Sequence, residues 1–318
     1  MNTAELDLLA IGEALIDFIS LEPAESLSAA EQFRRHLGGS PANVAVTVAR
    51  LGGRAALAAK VGVGAFGRFV RAELERRAVI TDYLCSDPAV HTTVVFVART
   101  AGTPDFEVFR AGDAELRPAE LPDAAIARAR AVHASTFALS REPCRGTVAG
   151  ALRLAAELGK LVSLDPNYHP LIWPKLAEAR MLLIELYRYV SITKPSLDDA
   201  ERLFGAGLTP ETYVEHFHAL GPRTVVLTMG RAGTLLSHEG HLTHIPARTV
   251  RVVDATGAGD AFWGGFLLAW LDGLPPVGCV EVARAVVSAK LQVIGPGEGR
   301  LDRQALYRSL DVLPVSEA

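Results

Sequence analysis

Cysteine is scarce: Cys85, Cys144 and Cys279 are the only three, far apart and without a CxxC pair. An odd number of scattered thiols points away from a disulfide framework or a thiolate metal site. It reads instead as buried, reduced cysteines, the habit of a cytoplasmic protein. Excess charge of one sign is also missing. There are 32 Lys and Arg against 36 Asp and Glu, a net charge of −4 with the histidines neutral. The electrostatic footprint of nucleic-acid binding is therefore absent. The longest charge-free apolar run, residues 261–271, has 11 residues. As a helix it would reach about 16 Å against a bilayer core of about 30 Å, so no membrane partner is expected. The opening residues carry Glu5 and Asp7 and read as a strand rather than a secretory leader. No G-x-x-x-x-G-K-[ST] loop occurs, so any phosphate chemistry must use another device. The histidines, among them His216, His218, His238, His241 and His244, show no metal-site spacing backed by carboxylates.

Short β-rich runs alternate with helical stretches nearly from end to end. Strands are expected at 6–11, 54–61, 131–136, 161–165, 190–193 and 224–228, and helices at 41–51, 66–77, 144–158 and 176–187. Three more helices, at 258–271, 277–293 and 302–310, close the chain. Such alternation predicts an α/β fold, a doubly wound and mostly parallel sheet sandwiched by helices. Ligands on such sheets bind beyond the carboxyl ends of the strands. Two regions break the rhythm. Residues 15–37 follow the first strand without a clear helix. Residues 92–99 and 106–110 read as a hairpin across Ala101, Gly102, Thr103 and Pro104. Together, at about 15–37 and 92–110, they predict a small β-lid on a single domain spanning 1–318.

Three glycine turns stand out. Asp254-Ala255-Thr256-Gly257-Ala258-Gly259-Asp260 runs into an apolar helix containing Gly264 and Gly265. Small residues bring bare N–H groups to a helix N-terminus, where the unsatisfied donors and the helix dipole attract anionic oxygens. Asp260 would stand beside them, placed to take a proton from an attacking hydroxyl. Gly38-Gly39-Ser40-Pro41-Ala42-Asn43 leads into another helix, with Asn43 able both to donate to and accept from sugar hydroxyls. Gly62-Val63-Gly64-Ala65-Phe66-Gly67 matches G-x-G-x-x-G, with Asp82 about 20 residues on. That spacing keeps an NAD-dependent oxidoreductase open, although the fingerprint belongs to the opening βαβ unit of its fold.

These residues resemble the ribokinase-like (PfkB) carbohydrate kinases over nearly the whole chain. The resemblance rests on residues 38–43 continuing through Leu51-Gly52 to Gly62 and Gly67, on residues 254–260, and on Thr228-Met229-Gly230-Arg231-Ala232-Gly233. The wording of Gly12–Phe18 and of 38–43 is closest to fructokinases and 2-keto-3-deoxygluconate kinases. The resemblance implies an ATP-dependent transfer of the γ-phosphoryl group to a sugar hydroxyl, with fructose or a similar ketose as acceptor. The alternatives are 2-keto-3-deoxygluconate or 5-keto-2-deoxygluconate. It implies Asp260 as catalytic base, with the N–H groups of Gly257, Ala258 and Gly259 as the anion hole. Asp17, Gly39 and Asn43 would contact the sugar, with Phe96, Arg110 and His169 tuning specificity from the lid side. Ser196, Thr228, Gly230 and Gly233 would border ATP and its Mg2+, and the helix over 283–293 would lie along the adenine. Asp254 and Thr256 fall where relatives hold a monovalent cation such as K+. Many members of the family dimerise lid to lid, so a homodimer is expected.

Three departures qualify this picture. The usual N-x-x-E motif appears as Ser196-Leu197-Asp198-Asp199, so only an acid survives, at Asp199. The common acid of V-G-x-D-x-x-G is Gly64, which creates the dinucleotide-like spacing. His169 stands in Asp165-Pro166-Asn167-Tyr168-His169 where an arginine often serves sugar acids. A lost arginine argues for a neutral sugar, and Arg110 argues for an acid. The altered positions also leave open a non-catalytic sugar-binding regulator.

Overall fold

The computed structural model describes residues 5–99, 105–295, 297 and 299–313. The expected turn at Ala101, Gly102, Thr103 and Pro104 lies outside the described residues. A nine-stranded sheet forms the body. From the chain start it contains β1 (Leu6–Ile11), β4 (Ala55–Gly62), β5 (Leu84–Asp87), β8 (Ala129–Ser135), β9 (Leu161–Asp165), β10 (Ile192–Thr193) and β11 (Thr224–Thr228). The antiparallel edge pair β12 (Thr234–His238) and β13 (His241–Ile245) completes it. The spatial order is β13-β12-β11-β10-β9-β8-β1-β4-β5, and the pairs from β11 through β5 are parallel. The chain leaves β1 toward β4 on one side and returns to β8 on the other. The crevice at that reversal is where ligands of open α/β sheets bind.

Strand parity assigns the two faces. Leu8 and Ala10 of β1, with Leu57 and Ala59 of β4, join one core. This core is covered by α1 (Ser40–Arg50), α2 (Ala65–Arg76), α8 (Ala258–Leu271), α9 (Pro276–Lys290) and α10 (Arg303–Ser309). Leu9, Ile11, Ala56 and Ala58 face the other core. There they meet α3 (Asp123–Ala127), α4 (Cys144–Glu157), α5 (Leu176–Tyr187), α6 (Leu197–Phe204) and α7 (Pro210–Leu220). Strands buried on both faces read as unbroken apolar runs. Each fully buried Leu, Val or Ile contributes about 1.5–3 kcal/mol, so the sheet needs no staple.

The segments that broke the rhythm form a separate four-stranded sheet. It consists of β2 (Leu15–Pro23), β3 (Phe33–Gly38), β6 (Val94–Arg99) and β7 (Asp105–Phe109), ordered β3-β2-β6-β7. Leu15, Ile19, Val95 and Val97 occupy one face, with Phe106, Val108 and Phe137 against them. Asp17 pairs with His36 and Val95 on that same face, whereas Phe18 pairs with Phe96 on the other. Among the described residues no helix is long and apolar enough to cross a membrane.

Candidate active site

Helix α8 carries the centre of the site, and its position follows from two glycines. A Cβ at Gly264 would lie 2.7 Å from Thr47 Cβ, and one at Gly265 would lie 3.2 Å from Val286. Their absence lets α8 settle between α1 and α9. Trp263 Nε1 also donates to Ser163 Oγ of β9 (2.8 Å), fixing α8 over the sheet. The first turns of α1 and α8 are thereby brought together. Ser40 Oγ donates to Asp260 Oδ1 (2.7 Å) and Asn43 Nδ2 to Asp260 Oδ2 (2.9 Å). Burial pushes the Asp260 carboxyl above its ordinary pKa, although these two donors and the ammonium groups of Lys194 and Lys290 oppose the rise. A carboxylate so held keeps one orientation and retains lone pairs for a further proton.

The residue before α8, Gly257, is left-handed at φ 70°, a conformation natural to glycine. A Cβ there would be 3.3 Å from Asn43 Nδ2 and 3.7 Å from Asp260 Oδ2. The carboxylate and the anion-binding turn are thus immediate neighbours. The Ala258 N–H is spent within the turn on Ala255 O (3.1 Å). The Gly257 and Gly259 N–H groups have no acceptor among the described residues, so of the three expected donors these two remain open. Lys194, which the sequence reading passed over, supplies a cation at the same spot. A Cβ at Gly259 would be 3.2 Å from its Nζ, which pairs with Asp165 Oδ2 at 2.9 Å. Both side chains are at most 5% exposed. Burial works against the Lys194 charge, but Asp165 and Asp199 outweigh it and hold its pKa above the ordinary lysine range. The one sequence clue was its place just past the end of β10.

Asp17, His36, Asn43, Thr256, Gly257 and Lys290 line one cleft under the small sheet. Asp17 is pushed up to about 7 by burial and by the nearby Asp260 and Asp254. Gly39 serves the frame: a Cβ there would lie 2.4 Å from Glu13 O. Glu13, also unforeseen, accepts from the Ser40 N–H (3.1 Å) and Ser135 Oγ (3.0 Å), and burial raises it to about 8. It therefore positions Ser40, which in turn positions Asp260.

The other lid-side residues land elsewhere. Phe96 is on the far face of the small sheet, stacked on Phe18 with ring centroids 4.9 Å apart, because strand parity turns it away from Asp17. Arg110 does not present a free cation. Its Nε donates to Asp113 (2.7 Å), its Nη1 bonds Ser140, and its guanidinium lies over Phe137. His169 packs against Phe106 on the inner face, with its proton affinity lowered by burial.

Ser196, the N-cap of α6, and Thr228, the last residue of β11, lie together in an isolated parallel bridge. Gly230 and Gly233 shape the turn from β11 into β12, and a Cβ at Gly233 would strike Ile245 O at 2.3 Å. Asp199 is engaged by the start of α6. Its Oδ2 accepts from the Ser196 N–H (2.9 Å) and Ser196 Oγ (2.6 Å), and its Oδ1 accepts from the Tyr168 N–H (2.8 Å). The acid left in the altered motif is therefore a cap. Asp254 also has its oxygens filled, by the N–H groups of Thr256 and Gly295 and by Lys290. Burial pushes its pKa up, but Lys290 and these N–H groups outweigh that and keep it below the ordinary carboxylate range. The dinucleotide-like run ends in packing: a Cβ at Gly67 would fall 1.6 Å from Gly62 O. It also follows β4 rather than the opening strand.

The comparisons with known proteins give the family of this fold. Residues 5–303 match the pfkB family of carbohydrate kinases. The chain is 32% identical over 289 residues to an ATP-dependent 6-phosphofructokinase of Thermoanaerobacterium thermosaccharolyticum, covering 91% of this chain and 89% of that protein. It is 35% identical over 263 residues to fructokinase-1 of Oryza sativa, covering 82% and 81%. The solved structure of Halothermothrix orenii fructokinase superposes with a TM-score of 0.79 at 37% identity, over 91% of this chain and all of that one. A fructokinase double mutant from Vibrio cholerae O395, in a fructose-, ADP- and potassium-ion-bound form, gives 0.82 at 27% identity over 95% and 97%.

Proposed function

The chain belongs to the pfkB family of carbohydrate kinases and is an ATP-dependent sugar kinase, and we propose that its acceptor is fructose or a similar ketose. The carrying observation is the Asp260 carboxylate, held by Ser40 and Asn43 beside the open N–H groups of Gly257 and Gly259. In phosphoryl transfer the protein contributes mainly position and charge stabilisation. A sugar hydroxyl in the cleft donates its proton to Asp260. The transferred oxygens meet the Gly257 and Gly259 N–H groups and the nearby Lys194 ammonium. Thr228, Gly230 and Gly233 border the nucleotide. The small sheet closes as a lid over Asp17 and Asn43 and excludes water, with the whole chain acting as one domain.

Magnesium, if bound with the nucleotide, would supply charge neutralisation at its phosphates. Among the described residues no carboxylate cluster forms a cage for it, and Asp199 is occupied as a cap. The ketose is favoured over the keto-deoxy acids because Arg110 is already neutralised by Asp113 and His169 is held toward its neutral form. The small sheet also supports a homodimer. Its outward face stacks Phe18, Phe33, Phe96 and Phe109, with Phe109 52% exposed, and a second copy would cover them. A cytoplasmic location belongs to the same reading, supported by the use of ATP and by free thiols at Cys85, Cys144 and Cys279.

A coupled ADP-release assay with fructose, fructose 6-phosphate, aldoses, nucleosides and both keto-deoxy acids tests the acceptor. Fructose is expected to turn over fastest. Faster turnover of fructose 6-phosphate or of either acid overturns the ketose assignment. Sedimentation of Phe109→Asp against the unaltered chain tests the dimer, and identical masses would remove it.

A further inference from the structure

The turn that presents the open N–H groups begins at Asp254, whose side chain is 2% exposed. A buried carboxylate needs a positive partner. Lys290, the last residue of α9, provides it from within the chain. Its Nζ lies 3.1 Å from Asp254 Oδ2 and 3.1 Å from the Asp254 main-chain oxygen. The same carboxylate accepts from the N–H groups of Thr256 (2.9 Å) and Gly295 (3.1 Å). The ammonium therefore ties the start of the anion-binding turn to the end of α9, and the Gly295 N–H ties it to the segment that follows.

A carboxylate with a main-chain carbonyl is the donor set that a hard cation takes. An ammonium and a potassium ion carry the same charge and are of similar size, so they compete for the same oxygens. The expectation that Asp254 and Thr256 hold a monovalent cation therefore does not fit these residues: the Asp254 oxygens are already spoken for. We infer that Lys290 is a tethered cation standing in for a monovalent metal ion, so that this enzyme works without one. The inference rests on the sugar-kinase reading of the same site. It makes the charge at the base of the turn independent of the surrounding salt, because a tethered group has no binding equilibrium to satisfy.

The full-length enzyme, exchanged into choline chloride, is titrated with potassium chloride at constant ionic strength. Two readouts are taken: the thermal midpoint without substrates, and the rate of ADP release. Both are expected to stay level, the rate within about twofold. Lys290→Met keeps the methylene bulk and strips the charge. Its midpoint and rate should fall in choline and recover with potassium or ammonium. A potassium-dependent rise in the unaltered chain's midpoint, or a rate increase beyond about tenfold, overturns the inference. So does a Lys290→Met enzyme that matches the unaltered chain in choline. If that variant does not fold, the unaltered chain decides alone. If no sugar supports ADP release, the acceptor proposal fails while the midpoint still reports on the cation.

Discussion

Residues 62–67 and 254–260 both lead a chain of glycines into a helix, α2 in one case and α8 in the other. In the first, Gly64 faces open space, and main chain takes the space of the other two missing side chains: Gly62 O lies 1.6 Å from a Cβ at Gly67, and Val90 O lies 2.5 Å from one at Gly62. In the second, that space borders the tips of polar side chains, Asn43 Nδ2 at 3.3 Å from Gly257 and Lys194 Nζ at 3.2 Å from Gly259. The first turn is packing. The second leaves donors and a carboxylate facing a cleft. A glycine pattern shows where the backbone comes close, and only the opposing atoms show to what.

Substitutions in the two turns should separate cleanly. Asp260→Asn is isosteric and keeps a partner for Ser40, so folding should be retained while kcat falls by about 10²–10⁴-fold. Near-normal kcat beside a normal unfolding curve would remove the base. Gly67→Ala should act on stability instead, costing about 1–3 kcal/mol, because the opposing carbonyl oxygen is main chain and cannot swing aside. Denaturant unfolding measures it, and an unchanged midpoint would make the first turn as open as the second. Gly259→Ala meets the tip of one side chain, Lys194, rather than main chain, so unfolding should move less than for Gly67→Ala. The kcat should drop by about tenfold, or about 1.4 kcal/mol, as the Lys194 ammonium is displaced from the open N–H groups. A loss of stability without a kinetic effect would place this glycine with Gly67.

A further effect concerns pH. Asp17 is raised from 3.8 to about 7, so between those values the native chain binds a proton that the unfolded chain has released. Stability carried by that proton is present below about pH 4 and is lost as pH rises through about 7. Glu13, raised from 4.5 to about 8, adds a slope of the same sign. Asp17→Asn should flatten the fall in unfolding free energy between pH 4 and 7. An unchanged slope would mean that Asp17 titrates as an ordinary carboxyl group.

Much of the frame was legible because it is local. The alternation of apolar runs placed β9 and β11 to the residue, and the absence of a helix in 15–37 signalled the small sheet. The pair β12 and β13 was passed over, since a short antiparallel edge carries no crossover helix to announce it. At the site, Asp260 and the glycines before it were legible as a helix start. Lys194 and Glu13 were not, because each is a lone polar residue whose meaning depends on a partner far along the chain. Phe96 and Arg110 were misplaced for related reasons. Strand register decides the face of the first, and the Asp113 carboxylate cancels the second.

By itself the sequence determined the layered α/β plan and the turn of bare N–H groups ahead of Asp260, since periodicity and glycine conformations act over a few residues. Only the tertiary structure decided that Ser40 and Asn43 grip that carboxylate, that Lys194 faces Gly259, and that Lys290 occupies the oxygens of Asp254. Those pairings join residues 36 to 220 positions apart in the chain. Electrostatic contact follows distance in space, which a linear pattern does not contain.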